Sequence, residues 1–125
     1  MAEGELADTA PAAQPGQLSV VSTTTDGIRV LTLAGEIDRD TGQTLRQALD
    51  ASGAPRPRIV VDLSRVTFMD STGINLFIAA HRSLTEAGGW IRLAAPAEAV
   101  MRTLQIVGVD AVIDCRDTLR QALGN

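Results

Sequence analysis

Two short stretches near the start of the chain are rich in β-branched and apolar residues. They are 17–23, with Val20 and Val21, and 28–34, with Ile28, Val30, Leu31 and Leu33. Asp26-Gly27 between them is a hairpin turn signal, because both residues tolerate positive φ. The period then changes. Leu45, Ala48 and Leu49 share one helical face, in a helix expected to start near Asp40. Gln43 follows three residues on, as in a capping box, and Gly53 suits the C-terminal stop. Residues 58–63 are apolar without alternation, the pattern of a strand buried on both faces.

Ile74, Phe77, Ile78 and Leu84 form the inward face of a second helix, which the Gly88-Gly89 pair ends. His81 falls on the same stripe. Trp90-Ile91-Arg92-Leu93 reads as a strand. Pro96 suits the first position of a third helix, with Val100, Met101, Leu104 and Val107 facing inward and Gly108 at its end. Ala111-Val112-Ile113 reads as a last short strand, and 117–123 as a terminal helix with Leu119, Ala122 and Leu123 inward.

The order β-β-α-β-α-β-α-β-α predicts a single α/β domain. Its sheet is small and mixed: an N-terminal antiparallel hairpin, then parallel strands joined by right-handed crossovers, packed by about four helices. Residues 1–16 hold Ala, Pro, Gly and acids without periodicity, and are expected to be a disordered tail; 17–125 form the domain.

Composition narrows the chemistry. The chain has 125 residues, of which 45% are hydrophobic and 2% aromatic, so aliphatic side chains must build the core. Net charge is −4 and no basic run occurs, which argues against nucleic acid as a partner. Cys115 and His81 are single, which argues against a disulfide and against a Cys- or His-based metal site. All 11 basic residues are arginines. Without lysine there is no P-loop, no Schiff base and no Ser-Lys hydrolase. No apolar run approaches a membrane span, and the acidic N-terminus lacks the pattern of a secretory signal, so a cytoplasmic protein is expected.

The segment with the most to offer is Phe68-Met69-Asp70-Ser71-Thr72-Gly73, between an apolar strand and a helical pattern. A hydroxyl at that junction sits among unpaired backbone N–H groups at the positive end of a helix dipole. Such a corner tolerates an anion, and a Ser there can take a phosphate without disrupting the fold. Plain helix capping by Asp and Ser is the simpler account. Asp38 also follows a strand end, and parallel strands place both segments on one edge of the sheet.

Enzymatic readings fit poorly. His81 lies about two and a half helical turns beyond Ser71, too far to act as its base. No Gly-x-Ser-x-Gly elbow is present. Asp70-Ser71-Thr72-Gly73 carries one residue too many for an aspartic protease motif, and a helix follows it. A response-regulator receiver needs a late lysine and an acidic pair after its first strand, and both are missing. Asp38 and Asp40 alone make a weak metal site, with Asp40 expected as a cap.

Taken together, Gly35-Glu36-Ile37-Asp38, Val61-Asp62-Leu63 with Val66, Phe68 to Ile74, and Pro96, Val100, Leu104 and Gly108-Val109-Asp110 resemble a STAS domain of the anti-anti-sigma class over about residues 17–123. The resemblance implies a non-enzymatic, cofactor-free protein. In its unphosphorylated form such a protein binds an anti-sigma factor that is also a serine kinase, and so releases a sigma factor. By position, the resemblance makes Ser71 the phosphate acceptor, with a serine phosphatase as the opposing partner. A non-phosphorylated STAS subunit of a transporter, a lipid-trafficking machine or a stress-sensing assembly is the alternative. Helix geometry leaves Asn75 and Leu76 pointing away from the core. The expected partner-docking face is therefore Asp38, Asp70, Ser71, Thr72, Gly73, Asn75 and Leu76, with Leu76 as an exposed anchor.

Overall fold

Asp26 and Gly27 both take positive φ, 51° and 79°. That turn folds β1 (Leu18–Thr25) onto β2 (Ile28–Ile37) in unbroken antiparallel register, from Leu18 opposite Gly35 to Thr25 opposite Ile28. In this computed structural model, which describes residues 16–51 and 53–124, three further strands follow. They are β3 (Arg58–Met69), β4 (Trp90–Ala94) and β5 (Asp114–Arg116), all parallel to β2, in the spatial order β1-β2-β3-β4-β5. The helices α1 (Gly42–Leu49), α2 (Ser71–Glu86) and α3 (Glu98–Val107) are the crossovers.

The sheet grows in one direction, so right-handed crossovers place all three helices on one face. The main core forms there. Leu31 and Leu33 of β2, Ile59, Val61 and Leu63 of β3, Leu45 of α1, Phe77 of α2 and Leu104 of α3 are wholly buried in it. The short α4 (Leu119–Leu123) covers part of the other face, closing a smaller cluster of Ile28, Val60, Ala94 and Ala122. Arg92 holds it in place. Its Nη1 donates to the carbonyls of Ala122 (2.8 Å) and Gly124 (2.6 Å), and its guanidinium lies 3.9 Å over the Trp90 ring. These charge-assisted bonds satisfy carbonyls that the end of α4 leaves unpaired.

Several boundaries differ from expectation. β3 runs six residues past Leu63, to Met69. Its register against β2 slips between Thr32 and Ala34 and again between Gly35 and Glu36, each time with one extra residue in β3. The bulges bring Val66 and Met69 inward at intervals of three and leave Arg65 and Thr67 exposed. The side chain of Asp62 accepts from the Ser64 amide at 2.9 Å, pairing a donor beside the first slip.

α1 begins after Thr41, not at Asp40, and α3 begins after Ala97, two residues beyond Pro96. Val107 is exposed because α3 ends there, at Gly108 with φ 88°. Residues 109–111 then make a single 3-10 turn, and the last strand lies at Asp114–Arg116, later than Ala111–Ile113. The segment expected to be a disordered tail lies, up to residue 15, outside the described residues.

Candidate functional site

The site grows from the carboxyl ends of β2 and β3. Their ladder runs to Ile37 opposite Met69, and the Asp70 amide then donates to the Ile37 carbonyl at 3.1 Å. The two loops that leave the sheet, 38–41 into α1 and Asp70 into α2, are therefore neighbours.

In the first loop, Asp38 Oδ1 accepts from the amides of Asp40 (2.9 Å) and Thr41 (3.1 Å). Thr41 is buried. Its Oγ1 accepts from the Asp38 amide (2.9 Å) and donates to the Glu36 carbonyl (2.9 Å). Asp38 thus satisfies backbone donors at the mouth of α1, the role expected of Asp40. The buried Thr41 was not legible as a functional residue. The one available signal is the Asp-x-x-Thr spacing of a polar loop.

In the second loop, Asp70 caps α2: its Oδ1 accepts from the Thr72 amide at 2.8 Å. Its carbonyl receives the amides of Gly73 (3.1 Å) and Ile74 (3.4 Å). Ser71 is the first residue of the helix and is exposed. Gly73 is buried where the helix meets the sheet. A Cβ there would stand 2.6 Å from Met69 Cγ and 2.8 Å from Ile37 Cγ2. Gly42, opening α1, approaches the same turn: its Cβ would stand 3.0 Å from Thr72 Cγ2.

The structure thus gathers Asp38, Asp70, Ser71, Thr72 and Gly73 at one end of the sheet, with Asn75 exposed one turn along. Leu76 departs from expectation. It is half-buried against the core and turns toward α1, lining a groove of about 610 Å³ between α1 and α2 with Gln43, Arg46, Ala79 and Ser83. The exposed apolar side chain near Ser71 is instead Phe68.

Both carboxylates commit Oδ1 to backbone amides. His81, half-buried, lies about 15 Å along α2 from Ser71 at 1.5 Å per residue. Among the described residues no three His, Cys, Asp or Glu side chains gather to hold a metal ion, and no helix is long and apolar enough to cross a membrane. What the corner offers is a solvent-facing hydroxyl on the first turn of a capped helix, where the dipole favours negative charge.

Comparison with known proteins gives the family of the chain. The STAS domain family model matches residues 19–122, and the chain belongs to that family. Over 102 residues it is 29% identical to an anti-sigma-B factor antagonist of Listeria monocytogenes, spanning 81% of this chain and 89% of the relative. Over 110 residues it is 28% identical to the anti-sigma-F factor antagonist RsfB of Mycobacterium tuberculosis, spanning 87% of this chain and 89% of the relative. A crystal structure of an anti-sigma factor antagonist from Mycobacterium paratuberculosis superposes with a TM-score of 0.80 at 32% identity, covering 90% of this chain and 96% of that one.

Proposed function

We propose that the protein is an anti-anti-sigma factor switched at Ser71. Unphosphorylated, it binds an anti-sigma factor that is also a serine kinase, and that binding frees a sigma factor. The kinase phosphorylates Ser71, the complex dissociates, and a serine phosphatase restores the free hydroxyl. The domain itself performs no catalysis; the ATP and the base that accepts the serine proton belong to the kinase. Such a switch acts in the cytoplasm.

The observation that carries the reading is the exposed Ser71 on the first turn of α2, one residue after the capping Asp70. The similarity to antagonists of anti-sigma factors over four-fifths of the chain and more supports it. Phosphate adds roughly −1.5 to −2 charge, which the helix N-terminus accommodates, so the fold persists. A partner seated on that face must desolvate the dianion or meet it with like charge. A penalty of about 3 kcal/mol weakens binding more than a hundredfold.

The test is incubation with the host's anti-sigma factor and ATP, followed by calorimetry on the modified protein. Ser71→Ala should take up no phosphate, and Thr72→Ala should be labelled like wild type. Phosphorylated protein should lose the partner. Undiminished labelling of Ser71→Ala would overturn the assignment, and tight binding of phosphorylated protein would leave a constitutive interaction subunit.

A further inference from the structure

Phe68 is 48% exposed, in a chain with two phenylalanines, one tryptophan and no tyrosine. Phe77 is wholly buried, and Trp90 lies beneath Arg92. The fold does not require an aromatic at position 68. It stands opposite Glu36 in the ladder, between the inward-facing Val66 and Met69, so it belongs to the sheet face away from α1, α2 and α3. The α4 cluster on that face reaches Ile28, Val60 and Ala94, and does not include Phe68. A polar side chain would suit the alternation equally well.

Its position points to a use. Phe68 and Ser71 are three positions apart, so even a fully extended chain keeps their Cα atoms within about 11 Å. A standard protein interface covers about 800 Å² per partner, enough to span both. The other large exposed apolar residues are Ile106, Val107 and Val112. They lie at the far end of the sheet, because α3 leaves the carboxyl end of β4 and runs back about 15 Å over its ten residues. Among the described residues, Phe68 is the large exposed apolar side chain at the Ser71 end.

We infer that Phe68 is the apolar anchor of the anti-sigma factor. The partner straddles the rim of the sheet, with Ser71 and the two loops on the helix side and Phe68 in an apolar pocket on the other. This rests on the proposed function, since the occupant is the partner assigned to Ser71 there. The surface is continuous with that face, and buried aromatic anchors dominate interface energetics.

The measurement is calorimetric affinity for the anti-sigma factor of wild type, Phe68→Ala, Ile106→Ala and Ser71-phosphorylated protein, with thermal melts alongside. Phe68→Ala should melt with wild type and bind about tenfold or more weakly, while Ile106→Ala binds normally. Should Phe68→Ala fail to fold, Phe68→Leu is read in its place, with an expected loss of about threefold. Wild-type affinity of the Phe68 variant, while phosphorylation still abolishes binding, overturns the anchor and leaves the switch standing. Wild-type affinity of both overturns the switch itself. Equal losses in the Phe68 and Ile106 variants also overturn the anchor.

Discussion

The amide of Asp70 donates to the carbonyl of Ile37 at 3.1 Å, one rung beyond the last residue pair of the β2–β3 ladder. The bond carries sheet order into the loop that presents Ser71. It sets the start of α2 against the residue that precedes Asp38. The cap, the turn and the exposed hydroxyl are all positioned from this rung, and the predictions below begin there.

Asp70→Ala should destabilise the domain by about 1 kcal/mol, the usual worth of an N-cap side chain. It removes the acceptor held 2.8 Å from the Thr72 amide. Asp70→Asn keeps an acceptor and should cost less. Urea unfolding of the three proteins measures the order, and an unchanged midpoint for Asp70→Ala would contradict the cap.

Gly73→Ala should also destabilise, despite the gain in helix propensity of about 1 kcal/mol. The new methyl meets Met69 Cγ and Ile37 Cγ2 at 2.6 and 2.8 Å. Ile37 is β-branched, fully buried and cannot swing aside. Overpacking of this kind costs about 1–3 kcal/mol, so the net effect is a modest loss. A raised melting temperature would show that α2 can ride up off the sheet freely.

Cys115 should resist thiol reagents at pH 8. Burial, followed by the nearby charges of Asp110 and Asp114, pushes its thiol from 9.0 up to about 11. The nucleophile is the thiolate, so reaction of the folded protein should be far slower than in denaturant. The raised pKa has the complementary effect on stability. Nothing is lost below pH 9, and stability falls as pH rises from 9 toward 11 because only the unfolded chain ionises. Equal labelling rates with and without denaturant would refute the burial argument.

Asp114 links acid sensitivity to the α4 side of the sheet. The Arg116 hydrogen bond is the main cause that holds its carboxyl below the ordinary 3.8, helped by the charges of Arg116 and Arg92 and opposed by burial. A lowered pKa contributes stability that is present above 3.8 and lost as pH falls through the folded value. Wild type should therefore lose more stability than Asp114→Asn between pH 5 and 3. Trp90, the single tryptophan, packs against Arg92 and should report the change by fluorescence. Parallel acid curves for the two proteins would sink the assignment.

Much of this architecture could be read from apolar periodicity, and the misses have identifiable causes. Asp26-Gly27 announced the hairpin because the turn needs two positive φ values and those residues supply them. The end of β3 was hidden because its bulges replace period two with the spacing Leu63, Val66, Met69, which resembles neither a strand nor a helix. At the site, Asp70 and Ser71 were legible because capping is a local rule. Thr41 was not, because its hydroxyl is held by the Glu36 carbonyl at the end of β2, and Leu76 was not, because its burial depends on how α1 docks against α2. No spacing within either helix encodes that contact.

Asp38 and Thr41 brace one loop while Asp70 braces the other, each through bonds to the main chain of its own corner. A surface tied down in this way has little backbone freedom left to lose. In the proposed switch, association would therefore cost little ordering entropy. If this corner docks the partner as proposed, a covalent group on the Ser71 hydroxyl would release it with no change in the shape of the loops.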